Sequence, residues 1–456
     1  MIVAAPAAVK RPVDDRTRRL LDGPILPTLV ALAAPNAAVT ALQAAASVVD
    51  AYVVASLGAE ALAGVTLVFP LVMLTGMMSA GGMGGGVSSA VARALGAGRR
   101  RDADALVTHA TVLAGAFAAV FTAGALGGGA ALYALLGGRD GTLAAALAYS
   151  NAYFLGVVTV WLANTLANVV RGTGNMALPA ALIVAGALVQ IGLSVGLVHG
   201  LGPLPRLGVA GAGWAAVIAF GAIAALLATY LASGRALVRY RAGPLQWRLF
   251  RDILRVGLPG VATNLMANAT VLLLTGLVGR FGTAALAGYG IGSRLEYLQI
   301  PIVFGMGTAL VAMVGTNVGA GRHERAERIA WTGAAVAGAV TGAIGVTAAL
   351  VPGAWTRLFT GDPAVASVAT VYLRIVGPAY AFFGIGLALY FASQGAGRLR
   401  WPVVASVVRL GLATCGGWAG LALLGGALPS VFAAMALALV AYGGLTAWAV
   451  RAGAWR

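Results

Sequence analysis

The sequence predicts an all-α membrane protein, with twelve transmembrane helices in two six-helix lobes related by a pseudo-two-fold axis. Three observations carry that prediction: a composition too apolar to cover a water-facing surface, apolar runs that recur along the whole chain, and a second half that repeats the first. Of the 456 residues, 60% are hydrophobic and 9% are charged, and mean hydropathy is +0.91. An ordinary soluble domain has roughly 25% charged residues. The 66 glycines suit close helix–helix contact in lipid.

The apolar runs read as spans 25–53, 59–90, 103–135, 143–170, 177–198, 207–232, 250–279, 284–317, 325–357, 364–392, 400–424 and 427–450. A helix crosses the hydrocarbon in roughly 20 residues, and the longer runs imply tilt or projection beyond it. Loop charge then sets their orientation. Arginines crowd alternate loops, as in Arg16, Arg18, Arg19, Arg93, Arg99–Arg101, Arg171, Arg235, Arg239, Arg241, Arg322, Arg325, Arg328, Arg398 and Arg400. The other loops hold only Arg139, Arg206, Arg280 and Arg357. The positive-inside rule places both termini in the cytoplasm, in a cell inner membrane. The net charge of +17 is therefore a topology signal, with anionic membrane lipid as a secondary partner and no nucleic acid implied. The first nine residues are too short for a cleavable signal peptide, and Asp14 and Asp15 follow them.

The repeat is legible in matched segments. Pro35 and Pro259 open comparable spans; LGAEALAG at 57–64 answers FGTAALAG at 281–288; LGAGRRRDAD at 95–104 answers VGAGRHERAE at 318–327; RGTGNMALP at 171–179 answers QGAGRLRWP at 394–402. One register holds throughout, which chance enrichment in Gly and Ala would not maintain. The chain divides into an N-terminal lobe at 1–232, a cytoplasmic linker at 233–249 and a C-terminal lobe at 250–456. Two lobes of like orientation imply an axis along the membrane normal and a binding site between them.

Asp50 is the leading candidate for a working residue. Asn36, Thr40, Gln43, Ser47 and Asp50 are spaced three or four apart and so lie on one face of span 1. A carboxylate at the bilayer centre costs about 2.5–3.5 kcal/mol even on lenient scales. The repeat sets these five positions against Gly260, Asn264, Ala267, Val271 and Leu274, so only the first lobe keeps the stripe. Glu296 is the other acid within a span. It reads either as a cation-attracting group of the cavity, beside Tyr297, or as the ion-pair partner of Arg294 or of Arg409 in span 11.

Asn164 and Asn168 in span 4, and Asn264 and Asn268 in span 7, are each one turn apart and read as substrate contacts or as interhelical hydrogen bonds. Gln190 belongs with Asp50 because span 5 packs beside span 1. Tyr153, Tyr289, Tyr297, Tyr380 and Tyr390 read as an aromatic lining or, for most of them, as ordinary packing. The run SAGGMGGGVSSAVARALGAGR at 79–99 lacks the Lys-Ser/Thr ending and preceding strand of a phosphate loop; Gly82 and Gly86 instead form a small-residue contact face in a span that bends. A lone Cys415 excludes an internal disulfide, and no His lies near a second metal ligand.

The segments VVDAYVVASLGAEALAG, the GAGR ends of spans 2 and 8, RGTGN, LGVAGAGWA at 207–215 and LFTGDPAV at 358–365 together resemble the multidrug and toxic compound extrusion (MATE) family of secondary transporters. The resemblance implies a V-shaped twelve-helix exporter that exchanges organic, often cationic, compounds for H⁺ or Na⁺. It is closer to DinF-type members, whose first-helix aspartate and glutamine match Asp50 and Gln43. The asparagine and aspartate those members carry in span 5 fall on Gln190 and Ser194. NorM-type acids of spans 7 and 10 fall on Ala267 and about Phe383, so a second-lobe Na⁺ site of that kind has no carboxylates here.

The expected activity is H⁺- or Na⁺-driven antiport of a small organic molecule by alternating access, without cofactor, in a monomer. Asp50 with Gln43, Ser47 and Gln190 is expected to carry ion coupling. Asn36, Asn164, Asn168, Asn264, Asn268, Glu296 and Tyr297 are expected to contact substrate, and Pro35 gives span 1 a place to bend. A flippase or exporter of lipid-linked or polar metabolites is the alternative, although only Arg294, Arg374 and Arg409 fall within spans. Metal clusters, nucleophile motifs and paired carboxylates are all missing, which argues against an enzyme, and a passive channel would not explain the one-sided stripe.

Overall fold

The computed structural model describes residues 14–241, 243–423 and 427–455, with backbone alone at 37, 40, 41, 44, 45, 47, 48 and 423. A short α1 (Asp15–Asp22) precedes the long α2 (Ile25–Ala55), α3 (Ala59–Gly96) and α4 (Arg100–Leu135). Next come α5 (Asp140–Leu155), α6 (Val157–Gly172), α7 (Ala177–His199) and α8 (Val209–Ala232). The second lobe holds α9 (Trp247–Gly279), α10 (Thr283–Gly319), α11 (His323–Leu350) and a short α12 (Pro352–Thr356). It closes with α13 (Pro363–Ala396), α14 (Arg400–Ala422) and α15 (Leu428–Arg451). Among the described residues no strand occurs, and ten helices are long and apolar enough to cross a membrane. The pair α5–α6, bent by 48° at Gly156, is long and apolar enough for a span only when its two helices are taken together. The 31-residue α2 stands where the sequence places the first.

Each lobe has its own apolar centre. The first gathers Tyr133, Phe154 and Trp161, with Phe117 stacked on Trp161 at 5.2 Å. The second gathers Tyr372, Tyr380 and Phe432. Alanine and glycine on the facing helices let backbones approach closely, as small residues do in lipid.

The lobes meet mainly through the second half of α3, which lies against α9, α10 and α13, and through α2 against α10. The glycines marked in the sequence make that contact possible. A Cβ on Gly86 would stand 2.8 Å from the Gly257 nitrogen, and one on Gly96 would stand 2.0 Å from the Thr316 carbonyl oxygen. A π-helical turn at Met77–Gly82 bends α3 just before this surface.

Ion pairs also cross between the lobes: Arg93–Asp252 and Arg248–Asp102 at 2.8 Å, and Arg322–Asp22 at 2.6 Å. All sit at the end that carries the arginine-rich loops. Toward the opposite end the principal contacts stay within a lobe: α2 on α7 and α3 on α5 in the first, α10 on α13 in the second. The lobes are thus joined at the basic end and diverge from it.

Candidate functional site

Asp50 lies on the part of α2 that packs against α7, away from the lobe contact, and is half-buried. Gln190 of α7 donates through Nε2 to its Oδ2 at 2.6 Å, a short bond of the kind an ionised acceptor makes. Ser194, one turn along α7, also acts on this carboxylate, although its buried Oγ makes no hydrogen bond. Tyr149 of α5 lies within its electrostatic reach. Val53, Val54, Ala61, Val198 and Ala212 form an apolar wall around this end of the lobe. Among the described residues no cationic side chain pairs with Asp50. A carboxylate held only by neutral donors can exchange a proton or hold a monovalent cation without first breaking an ion pair.

The remaining residues of the stripe do not join it. Gln43 is exposed, two turns away, and bonds to no described residue. The side chains of Thr40 and Ser47 lie outside the described residues. Asn36 is buried at the lobe contact, where its Nδ2 donates to Thr308 Oγ1 of α10 at 2.7 Å. At 1.5 Å per residue, about 21 Å of helix separates it from Asp50. The stripe therefore serves two places.

The asparagine pairs divide likewise. Asn164 donates to Ser79 Oγ at 2.9 Å, and Asn168 donates to the Ala80 oxygen at 3.2 Å. Asn264 donates to the Met77 oxygen at 3.3 Å across the lobe contact, and Asn268 to the Asn264 oxygen at 2.9 Å. All four meet the bent stretch of α3 or its neighbours. Between them, Asn168, Ser88, Thr308 and Gln394 line a small cavity of about 10 Å³, room for one water molecule.

Glu296 resolves as an ion pair. Arg409 of α14 donates through Nη2 to Oε1 at 3.1 Å, and Tyr372 donates to Oε2 at 3.4 Å. Arg409 also lies over the rings of Phe383 and Tyr442, 5.4 and 5.5 Å from their centroids. Arg294 takes no part; it lies over Phe359. Tyr297 is 48% exposed, whereas Tyr153, Tyr289, Tyr380 and Tyr390 are buried in packing. Those four take the packing reading and line no cleft.

Several residues escaped sequence reasoning. Arg93 was assigned to a basic loop, yet it is inside α3 and reaches Asp252 across the lobes. Ser89 donates to the Gln394 oxygen at 2.5 Å, and Gln394 donates to the Gly81 oxygen at 3.3 Å. The available signal was position: Ser89 and Arg93 are four apart on the glycine-rich face. Among the described residues no group of three or more His, Cys, Asp or Glu is placed to hold a metal.

Comparison with known proteins agrees with this architecture. The MatE family matches residues 35–195 and 259–418, two stretches that begin at the paired prolines Pro35 and Pro259. A relative described as a FAD transporter, from Shewanella oneidensis, is 25% identical over 396 residues, covering 86% of this chain and 87% of that protein. A probable multidrug resistance protein NorM from Geobacillus kaustophilus is 29% identical over 78% of each chain. Names of this kind are mostly NorM and do not support a DinF-type subdivision. In fold, the chain matches a solved structure described as an outward-facing conformation of a multidrug resistance MATE family transporter of the MOP superfamily. The TM-score is 0.87, with 22% identity over 97% of this chain and 99% of that one. A MATE structure in a bent conformation matches with a TM-score of 0.88.

Proposed function

This chain belongs to the MatE family of membrane transporters, and from that premise we propose that it is a secondary antiporter exporting small organic molecules in exchange for H⁺ or Na⁺ at Asp50. The observation that carries the reading is the company Asp50 keeps: a carboxylate within the span, bonded to Gln190 at 2.6 Å and, among the described residues, met by no cation. Its charge is free to change, and only differential interaction with two conformations lets an ion drive the shift between them.

With the arginine-rich loops in the cytoplasm, the lobe contacts at the basic end close the cytoplasmic side. Arg93–Asp252, Arg248–Asp102 and Arg322–Asp22 hold that state. Ion binding at Asp50 changes how α2 packs on α7, and Pro35 lets α2 bend just below Asn36, which is tied to Thr308, so that the part carrying Asp50 moves relative to the first turns of the helix. Charged Asp50 attracts cationic or amphipathic compounds; neutralised, it releases them. The protein acts as a monomer with both termini cytoplasmic.

A relative described as a FAD transporter over 86% of this chain favours a second reading, export of a polar metabolite through the same cleft. The deciding experiment is reconstituted transport of a cationic dye under separately imposed H⁺ and Na⁺ gradients, with Asp50→Asn alongside. Asp50→Asn is expected to insert normally and to lose gradient-driven export. Wild-type rates in that variant would overturn the assignment.

A further inference from the structure

Arg171 closes α6 at the basic end of the first lobe. It is 5% exposed, and its Nε is wholly buried without a hydrogen-bond partner. Among the described residues no acidic side chain acts on its charge. Two other arginines set within the helix packing each have a carboxylate: Arg93 has Asp252 and Arg409 has Glu296. A buried charge left without a counter-charge is strongly destabilising, so an arginine held this way calls for a ligand.

Its position says where that ligand comes from. Asn164, Asn168 and Arg171 fall at i, i+4 and i+7, on one face of α6. Asn168 lines the small cavity between the lobes. Gly172, the next residue, packs so tightly on α3 that a Cβ there would lie 2.7 Å from the Ser88 oxygen, and Ser88 lines the same cavity. The internal repeat sets Arg171 against Gln394, another lining residue. Leu20 of α1 covers the loop just beyond, at Gly174, and α1 is itself tied to the second lobe, its Leu20 oxygen accepting from Asn317 at 3.0 Å. Arg171 thus lies one turn past the cavity, roofed by segments that bridge the two lobes.

We infer that Arg171 is an anion-binding residue: when the lobes part at the basic end, its guanidinium takes the carboxylate or phosphate group of a transported compound. The inference rests on the antiport reading and deepens it, adding anionic and zwitterionic organic molecules to the substrates. Guanidinium suits the task because its planar fork matches both groups in bidentate fashion, which a lysine cannot do.

Two xanthene dyes test it, carboxyfluorescein as the anion and rhodamine 6G as the cation, in phosphatidylcholine proteoliposomes under the same imposed ion gradient. The wild type is expected to move both. Arg171→Gln is expected to slow carboxyfluorescein at least tenfold and rhodamine 6G by less than twofold, with Arg171→Lys between. Equal handling of carboxyfluorescein by wild type and Arg171→Gln would overturn the inference, as would a wild type that moves rhodamine 6G alone. A wild type that moves neither dye under any gradient removes the antiport reading as well. Binding is read separately by fluorescence polarisation of carboxyfluorescein in an Asp252→Ala background, which loosens the lobe contact. There Arg171→Gln should weaken binding at least tenfold, and unchanged affinity refutes the site. Inorganic phosphate should compete with the dye; competition by phosphatidylserine alone would reassign the site to a lipid headgroup and overturn the substrate role.

Discussion

In the first lobe, α2 and α7 face each other across a carboxylate and an amide; in the second, α9 and α14 face each other across aliphatic packing. The repeat sets Asp50 against Leu274, and the register that sets Arg171 against Gln394 sets Gln190 against Ala413. Leu274 and Ala413 are both buried in one apolar cluster with Val431 and Phe432. The same helix pairing therefore forms without any polar group, and the fold does not require Asp50. The second lobe does keep an acid, but Glu296 is on α10 and Arg409 answers it at 3.1 Å. Protonating Glu296 would strand a buried guanidinium. Protonating Asp50 strands nothing. Among the described residues within the spans, only the first lobe holds a carboxyl group whose charge is cheap to change.

Moving the acid is the most severe way to break that comparison. In the double variant Asp50→Asn, Leu274→Asp, an acid sits in the corresponding place of the other lobe, among the side chains that enclose Leu274. A carboxylate at the bilayer centre costs roughly 2.5–3.5 kcal/mol, and no amide corresponding to Gln190 is there to receive it. Gradient-driven dye export is expected to remain abolished and the melting temperature in detergent to fall. Recovery of coupled export would show that any buried acid at this helix pair suffices.

The second lobe is tested at Glu296→Gln. Removing one partner of a buried ion pair costs about 3–5 kcal/mol, because the other charge is left uncompensated. Here the side chains are 15% and 16% exposed, so the lower part of that range applies. Glu296→Gln is expected to lower unfolding stability while the protein that remains folded keeps its dependence on the driving ion. Glu296→Gln with Arg409→Gln should recover most of the loss. Unchanged stability together with altered ion dependence would move coupling into the second lobe.

The sequence carried the large features because they depend on composition and spacing, as with the spans, the repeat and the pairing of Gln190 with Asp50. Contacts between lobes were less legible. Asn36 shares a helical face with Asp50, yet a helix of this length runs past two environments, and periodicity cannot say that Thr308 of the other lobe meets one end. Arg93 looked like loop charge because α3 continues past the point where hydropathy falls. Glu296 left two readings open, since its partner depends on how α10 and α14 cross. Arg171 was counted as topology, and only burial set it apart.

The mildest test concerns Gln190 itself. A hydrogen bond to a charged group contributes about 1.5–3 kcal/mol, and tenfold in rate corresponds to about 1.4 kcal/mol. Gln190→Leu removes the 2.6 Å bond to Asp50. It should still fold, since Ala413 shows that an apolar residue is tolerated at the corresponding place in α14. Export driven by the ion gradient is expected to slow roughly tenfold, with the choice between H⁺ and Na⁺ unchanged. If Gln190→Leu transports at the wild-type rate, the amide only packs beside Asp50, and the carboxylate takes its bearings from Ser194 and the wall of α7 alone. If instead the preferred ion changes, the amide oxygen is itself a ligand of that ion, and the difference between the lobes is a two-residue site rather than a single acid.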